Sequence, residues 1–248
     1  MRVEVLLGAT SVTPADVAGR VVAVVDVLRA SSSIAAALHH GARAVIPFES
    51  AEEVVLRSKS FERRDVRLAG ERRMLPVPGF DFGNSPREFT REAVEGKTIL
   101  LSTTNGTVAL VAVQGARDVV VASYVNYTAS LAFLRAAARA QVDVAIVAAG
   151  RERHFALEDA AFAGRLVRGI TKRLRSAELN DAAQACVLLD RKYGDRIEEL
   201  FAASDHGRAL AAAGFAADLA VCAQIDAFPV VPVYLDRQIS KLGPDWER

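Results

Sequence analysis

The chain has little of what disulfide, zinc and membrane proteins are built on. It holds two cysteines, Cys186 and Cys222, far apart and without zinc-ligand spacing. That excludes a disulfide framework, and the expectation is a reducing, cytoplasmic setting with both thiols buried. Four histidines among 248 residues leave no histidine-rich metal site, so any metal has to be a hard cation held by oxygen. Neither sign of charge is in excess, with 31 Lys and Arg against 30 Asp and Glu. A nucleic-acid or membrane-surface protein would carry a basic surplus, and neither partner is expected. No apolar run reaches the roughly 18 residues of a transmembrane candidate, and no cationic start leads into an apolar segment.

What is present is an alternation. Apolar, mostly β-branched runs at 3–8, 21–27, 43–48, 65–70, 97–102, 118–123 and 142–150 read as strands. Helical patterns fill 32–41, 50–60, 104–114, 126–140 and 157–175, with Gly41 as a C-terminal stop and Ser50 as an N-cap. Strands and helices in this order predict a mostly parallel sheet covered by helices on both faces. Two regions break the rhythm. Residues 71–90 hold three prolines and no clear period until near their end, and a loop of that length is usually functional or disordered. Residues 176–226 read as helical throughout. The last strand, 228–235, contains two prolines and is expected at a sheet edge. The chain reads as one domain, 1–248, with two α/β lobes meeting near residues 100–125 as the alternative.

Ligands gather at the carboxyl ends of strands in open α/β sheets, so the strand-to-helix junctions are the places to inspect. In "VVAVVDVLRASSSIAAAL" (21–38) the strand gives way at Asp26, Arg29 and Ser31, Ser32 and Ser33. A carboxylate there can bind Mg²⁺ or attack phosphorus, a guanidinium can grip an anion, and hydroxyls can cradle phosphate oxygens. The plainer alternative is Ser31 as N-cap, Asp26 as a turn carboxylate and Arg29 on the surface. In "TILLSTTNGTVAL" (98–110), Thr103, Thr104, Asn105 and Gly106 either meet a ligand or serve as cap and turn. In "AIVAAGRERHFALEDAAFAG" (145–164), Arg151 follows the strand while Glu158 and Asp159 open a helix, as metal ligands or as partners of its dipole. "GERRM" (70–74) adds Arg72 and Arg73, and "GFDFGNSP" (79–86) adds Asp81 and Asn84 before a helix start at Ser85 and Pro86. "SDHGRAL" (204–210) holds His206 at another turn, a lone histidine that by itself reads as structural.

Together these segments resemble a known family. "DVLRASSSI", "GER", "GFDFGNSPREFT", "STTNGT", "AAGR" with "LEDAAFAG", and "SDHGRAL" followed by "DLAVCA" stand in the order seen in the 2-phosphosulfolactate phosphatases, over about residues 3–235. The resemblance implies an α/β fold of three layers, α/β/α, with a mostly parallel or mixed sheet and a helical C-terminal portion. It implies a magnesium-dependent phosphatase that hydrolyses (2R)-2-phospho-3-sulfolactate to 3-sulfolactate and phosphate, associated with coenzyme M biosynthesis. Asp26, Arg29, Asp81, Asn105, Arg151, Glu158, Asp159 and His206 are the positions it implies near the site. Combined with the junction reading, Asp26, Arg29 and His206 are catalytic candidates. Asp26, Asp81, Glu158 and Asp159 are candidate Mg²⁺ ligands. Ser31, Ser32, Arg72, Asn84, Thr103, Thr104, Asn105, Gly106 and Arg151 are candidate substrate contacts. One departure is visible: Arg73 and Met74 follow "GER", where a less bulky, glycine-rich continuation is expected.

The partner this predicts is a small polyanionic phosphate ester. "DVLRA" lacks the second aspartate of the haloacid-dehalogenase pattern, and Cys222 lacks the Cys-x5-Arg loop of cysteine phosphatases. Attack by a metal-positioned water, with a carboxylate or His206 moving the proton, is therefore preferred over a phosphoenzyme. The alternatives are a phosphatase of another small polyanionic ester, a Mg²⁺-dependent lyase or aldolase on a phospho-acid, and a non-catalytic binder of organic anions. A homodimer is expected, as the commonest soluble assembly.

Overall fold

The computed structural model describes residues 1–152, 154–172, 174 and 176–243. The strands are β1 Arg2–Leu7, β2 Val21–Val25, β3 Ala44–Pro47, β4 Val66–Arg72, β5 Leu75–Pro76, β6 Thr98–Ser102, β7 Asp118–Ala122, β8 Val144–Ala148, β9 Glu178–Leu179, β10 Pro232–Leu235 and β11 Gln238–Lys241. The helices are α1 Pro14–Val17, α2 Ala30–His39, α3 Ala51–Ser58, α4 Arg91–Val94, α5 Gly106–Ala112, α6 Tyr127–Arg139, α7 Leu157–Thr171, α8 Asp181–Tyr193, α9 Ile197–Ala203, α10 Asp205–Leu210 and α11 Ala216–Cys222. Ser50 caps α3 by accepting from the Glu53 N–H at 3.1 Å, and Gly41 follows α2 at φ 96°. The helix predicted over 157–175 ends at Thr171, and Arg173 and Arg175 lie outside the described residues.

The strands form one mixed sheet in the order β5-β4-β6-β3-β11-β10-β7-β2-β8-β1-β9. Period-two alternation sorts its side chains into two cores. Val21, Ala23 and Val25 join Val120, Val144 and Ile146 under α6 to α9. Val22 and Val24 join Val119, Val121, Ala145 and Val147 under α2 and α5. Burial on both faces is why β2, "VVAVV", reads as a continuous apolar run. The result is the three-layer α/β/α arrangement, with α8 to α11 as its helical C-terminal portion. Among the described residues no helix is long and apolar enough to cross a membrane.

Two parallel blocks make up the sheet. One is β4-β6-β3. The other is β7-β2-β8-β1-β9. The antiparallel hairpin β10–β11 joins them, pairing with β7 on one side and β3 on the other. By pairing direction alone the two blocks point opposite ways. Yet a Cβ on Gly106, just beyond β6, would stand 2.8 Å from Asp26 Oδ2, just beyond β2. The carboxyl ends of the two blocks therefore meet, which a flat sheet could not achieve; strand twist accumulated through the hairpin turns one block onto the other.

Three expectations are corrected. The strand placed at an edge is interior, because Pro232 is its first residue, where no ladder donor is needed. Residues 176–226 are not wholly helical: β9 adds a short strand beside β1. The helix start at Ser85 and Pro86 is a single turn closed by the Glu88 N–H on the Ser85 carbonyl at 3.1 Å.

Candidate active site

Asp26 is the first residue past the buried β2. Its N–H donates to Ser31 Oγ at 2.9 Å, the Ser31 N–H returns to the Asp26 carbonyl at 2.9 Å, and the Ala30 N–H reaches Oδ1 at 3.3 Å. These bonds fix the carboxylate against the start of α2. From the other block, α5 approaches so closely that a Cβ on Gly106 would meet the Ala30 Cβ at 2.5 Å. Only glycine permits that approach.

Three more carboxylates converge on this point. Asp159 accepts from the Val27 N–H at 2.8 Å and the Gly150 N–H at 3.1 Å, tying the ends of β2 and β8 together. Glu158 beside it is buried, with Oε1 on His206 Nδ1 at 3.2 Å and Oε2 without a partner among the described residues. Glu71, near the end of β4, accepts from the Thr104 N–H at 2.7 Å and the Met74 N–H at 2.8 Å. Burial raises the Asp26 carboxyl to about 6; His206 and the Ala30 N–H oppose the rise, and Glu71 and Glu158 add to it. Burial also holds Asp159 well above the carboxylate range, helped by the charges of Asp26 and Glu158.

Guanidinium groups face this acidic floor. Arg29 is buried, at 2% side-chain exposure. It donates to Asp218 Oδ2 at 2.6 Å and to the Met74 carbonyl at 2.9 Å, and lies 4.2 Å from the Phe215 ring centre. Asp218, equally buried, also accepts from Ser85 Oγ at 2.7 Å. The side chains of Arg73 and Arg151 have no hydrogen-bond or ion-pair partner among the described residues. Asp26, Arg29, Asn84, Thr104, Asn105, Arg151 and His206 line one cleft of about 260 Å³, together with Leu28, Glu71, Arg73, Met74 and Glu152. Two hollows of about 730 and 940 Å³ lie elsewhere, and neither is lined by the carboxylates just described.

Of the four buried side-chain polar atoms without a partner among the described residues, two belong to residues that line this cleft, Asn84 Oδ1 and Thr104 Oγ1, and a third, Glu158 Oε2, lies on the carboxylate that holds the cleft-lining His206. Such atoms are rare in folded proteins and mark places where a ligand or ion completes the bonding.

Several candidates are not brought to the cleft. Ser31 Oγ is spent on Asp26, and Ser32 Oγ bonds the Val27 carbonyl and Ser123 Oγ at 2.9 and 2.7 Å. Both hydroxyls support the junction from within. Thr103 exchanges bonds with Thr107 in the first turn of α5, and Gly106 serves close packing. Arg72 points to the other side of β4, where it binds the Ser102 carbonyl and hydroxyl at 3.2 and 2.8 Å, because neighbouring strand residues face opposite ways. Asp81 accepts from the Leu68 N–H at 2.9 Å and pairs with Arg63, fixing the 71–90 segment to β4 away from the cleft. Glu71 and Asp218 were missed. Strand alternation beside Arg72 could have found Glu71, which stands in the "GER" motif; Asp218 opens the "DLAVCA" motif but otherwise reads as an ordinary acid in a helix.

A cleft of buried carboxylates and unpaired guanidiniums at the carboxyl ends of parallel strands defines an α/β protein built to process a small anion. Comparison with known proteins agrees. Residues 9–237 match the family model described as 2-phosphosulpholactate phosphatase. A protein of Symbiobacterium thermophilum named "Probable 2-phosphosulfolactate phosphatase" is 39% identical over 230 residues, 92% of this chain and 97% of that protein. Proteins of the same name from Caldanaerobacter subterraneus and Clostridium acetobutylicum are 36% identical over 222 residues and 31% over 239, covering 90% and 96% of this chain and 90% and 100% of their own lengths. The chain belongs to the 2-phosphosulfolactate phosphatase family, and is thereby an enzyme of the phosphoric monoester hydrolase class.

Proposed function

We propose that this chain is a Mg²⁺-dependent phosphomonoesterase that hydrolyses 2-phospho-3-sulfolactate to 3-sulfolactate and phosphate. The observation that carries the reading is the coincidence, in one cleft, of the buried Asp26 and Glu71 carboxylates with the guanidiniums of Arg73 and Arg151, and with buried Glu158 directly behind the cleft-lining His206. A binder of anions gains nothing from buried acids beside its ligand. A hydrolase needs them for a cation and for proton transfer.

Among the described residues no group of three or more His, Cys, Asp or Glu is arranged to hold a metal alone. Mg²⁺ fits nonetheless, because it keeps several waters and takes only one or two carboxylates plus substrate oxygens. The partnerless Glu158 Oε2 supplies the kind of hard oxygen donor it requires, and Asp26 and Glu158 would hold it. When bound, Mg²⁺ neutralises charge on the phosphoryl oxygens and orients a water for attack. Arg151 and the remaining N–H groups of Arg29 orient the phosphate. Glu158 Oε1 fixes the His206 ring through Nδ1, leaving Nε2 to move a proton at the cleft.

The test is Asp26→Asn. Turnover is expected to fall by at least about 100-fold, while calorimetry still detects binding of 3-sulfolactate. A variant that keeps wild-type turnover overturns the assignment.

A further inference from the structure

Arg73 occupies an unusual place. It and Met74 form the two-residue turn between β4 and β5, where Arg72 pairs with Leu75. Both turn residues are left-handed, at φ 51° and 72°, positions that favour glycine or asparagine. The turn is anchored to the catalytic floor from two directions. Glu71 bridges the Thr104 and Met74 N–H groups, and Arg29 donates to the Met74 carbonyl. The backbone at Arg73 is thus fixed at the cleft, and its exposed guanidinium is one that no described residue neutralises. Arg29 differs: it is buried and already balanced by Asp218.

We propose that Arg73 is a specificity residue that grips a second anionic group of the substrate, a carboxylate or sulfonate on the carbon skeleton, while the phosphate occupies the buried end beside Asp26. The inference rests on the phosphatase reading above. It gives the two ends of the cleft different tasks, hydrolysis at the floor and selection for polyanionic esters at the mouth. A preformed turn spares the backbone ordering cost that a flexible loop would incur.

The test uses Arg73→Gly, which suits the left-handed backbone and so preserves the turn, and Arg73→Lys, which keeps the charge. Both are assayed on 2-phosphosulfolactate, on phospholactate (carboxylate only) and on glycerol 2-phosphate, whose flanking groups are neutral. Arg73→Gly is expected to lower kcat/KM on 2-phosphosulfolactate about 10- to 100-fold more than on glycerol 2-phosphate, with Arg73→Lys recovering part of the loss. An equal extra loss on phospholactate assigns the contact to the carboxylate; an extra loss on 2-phosphosulfolactate alone assigns it to the sulfonate. Uniform loss on all three esters, or none, overturns the proposal. If the wild type hydrolyses no ester, the phosphatase reading fails by itself. Calorimetric binding of 3-sulfolactate then decides on Arg73, with a tenfold weakening in Arg73→Gly supporting the contact and an unchanged affinity refuting it.

Discussion

Replacing Asp218 by alanine removes one residue and strands two. Arg29 Nη1, now 2.6 Å from Oδ2, and Ser85 Oγ, 2.7 Å from Oδ1, lose their acceptor together. Both ends of the Arg29–Asp218 pair are 2% exposed, so water cannot fill in, and a buried guanidinium is left uncompensated. Breaking such a pair from one side costs about 3–5 kcal/mol. At about 2–4 °C per kcal/mol for a chain of this size, the melting midpoint should drop by about 6–20 °C. Arg29 also loses the contact that aims it into the cleft, and a misplacement of about 1 Å can cost about 100-fold in turnover. Asp218→Asn separates the two effects. Its amide oxygen can accept from Arg29 and its NH₂ can donate to Ser85, so geometry survives while the charge does not; its melting point should fall between the other two. Thermal melts followed by circular dichroism, beside steady-state kinetics, read both quantities. A melting point for Asp218→Ala within about 2 °C of wild type would refute the claim that this pair holds Arg29 in place.

Gly106→Ala puts a methyl 2.5 Å from Ala30 Cβ and 2.8 Å from Asp26 Oδ2. It should cost about 1–3 kcal/mol by denaturant titration and depress turnover, whereas wild-type behaviour in both assays would contradict the contact. The acidic floor should also make stability depend on pH. The Asp26 carboxyl rises from an ordinary 3.8 to about 6 on folding, so between those values the folded state binds more protons than the unfolded chain. The stabilisation is complete below pH 3.8 and is lost as pH rises through about 6. At about 1.4 kcal/mol per pH unit this is on the order of 3 kcal/mol. In EDTA, urea midpoints should fall between about pH 4 and 6.5 in the wild type, and Asp26→Asn should flatten the fall and be the more stable protein at pH 7.5. An unchanged slope in Asp26→Asn would remove Asp26 as its source.

The alternation of strands and helices was legible because burial on both faces leaves runs such as "VVAVV" and "VAIVA" apolar throughout. The hairpin β10–β11 was not. Its turn is Asp236-Arg237, at φ 50° and 64°, and without Asn or Gly there the usual signal is missing. Nor could local pattern show that two blocks of opposed direction bring Asp26 and Gly106 into contact, since that depends on twist summed across the hairpin. Within the site, polar junctions pointed to Asp26, Asn105 and Arg151, and the family resemblance to His206. Composition could not separate hydroxyls that face the cleft from those, like Ser31 and Ser32, turned inward to hold the junction. It likewise favoured Arg72 over Glu71, although alternation along β4 puts the acid on the cleft side.

Phosphate release from racemic 2-phosphosulfolactate, beside phosphoglycolate and phospholactate, with Mg²⁺ and then with EDTA, tests the central claim most directly. The account predicts preferential release from the sulfonated ester, abolished by EDTA and restored by Mg²⁺. Absence of release from every ester, or release indifferent to EDTA, would contradict it.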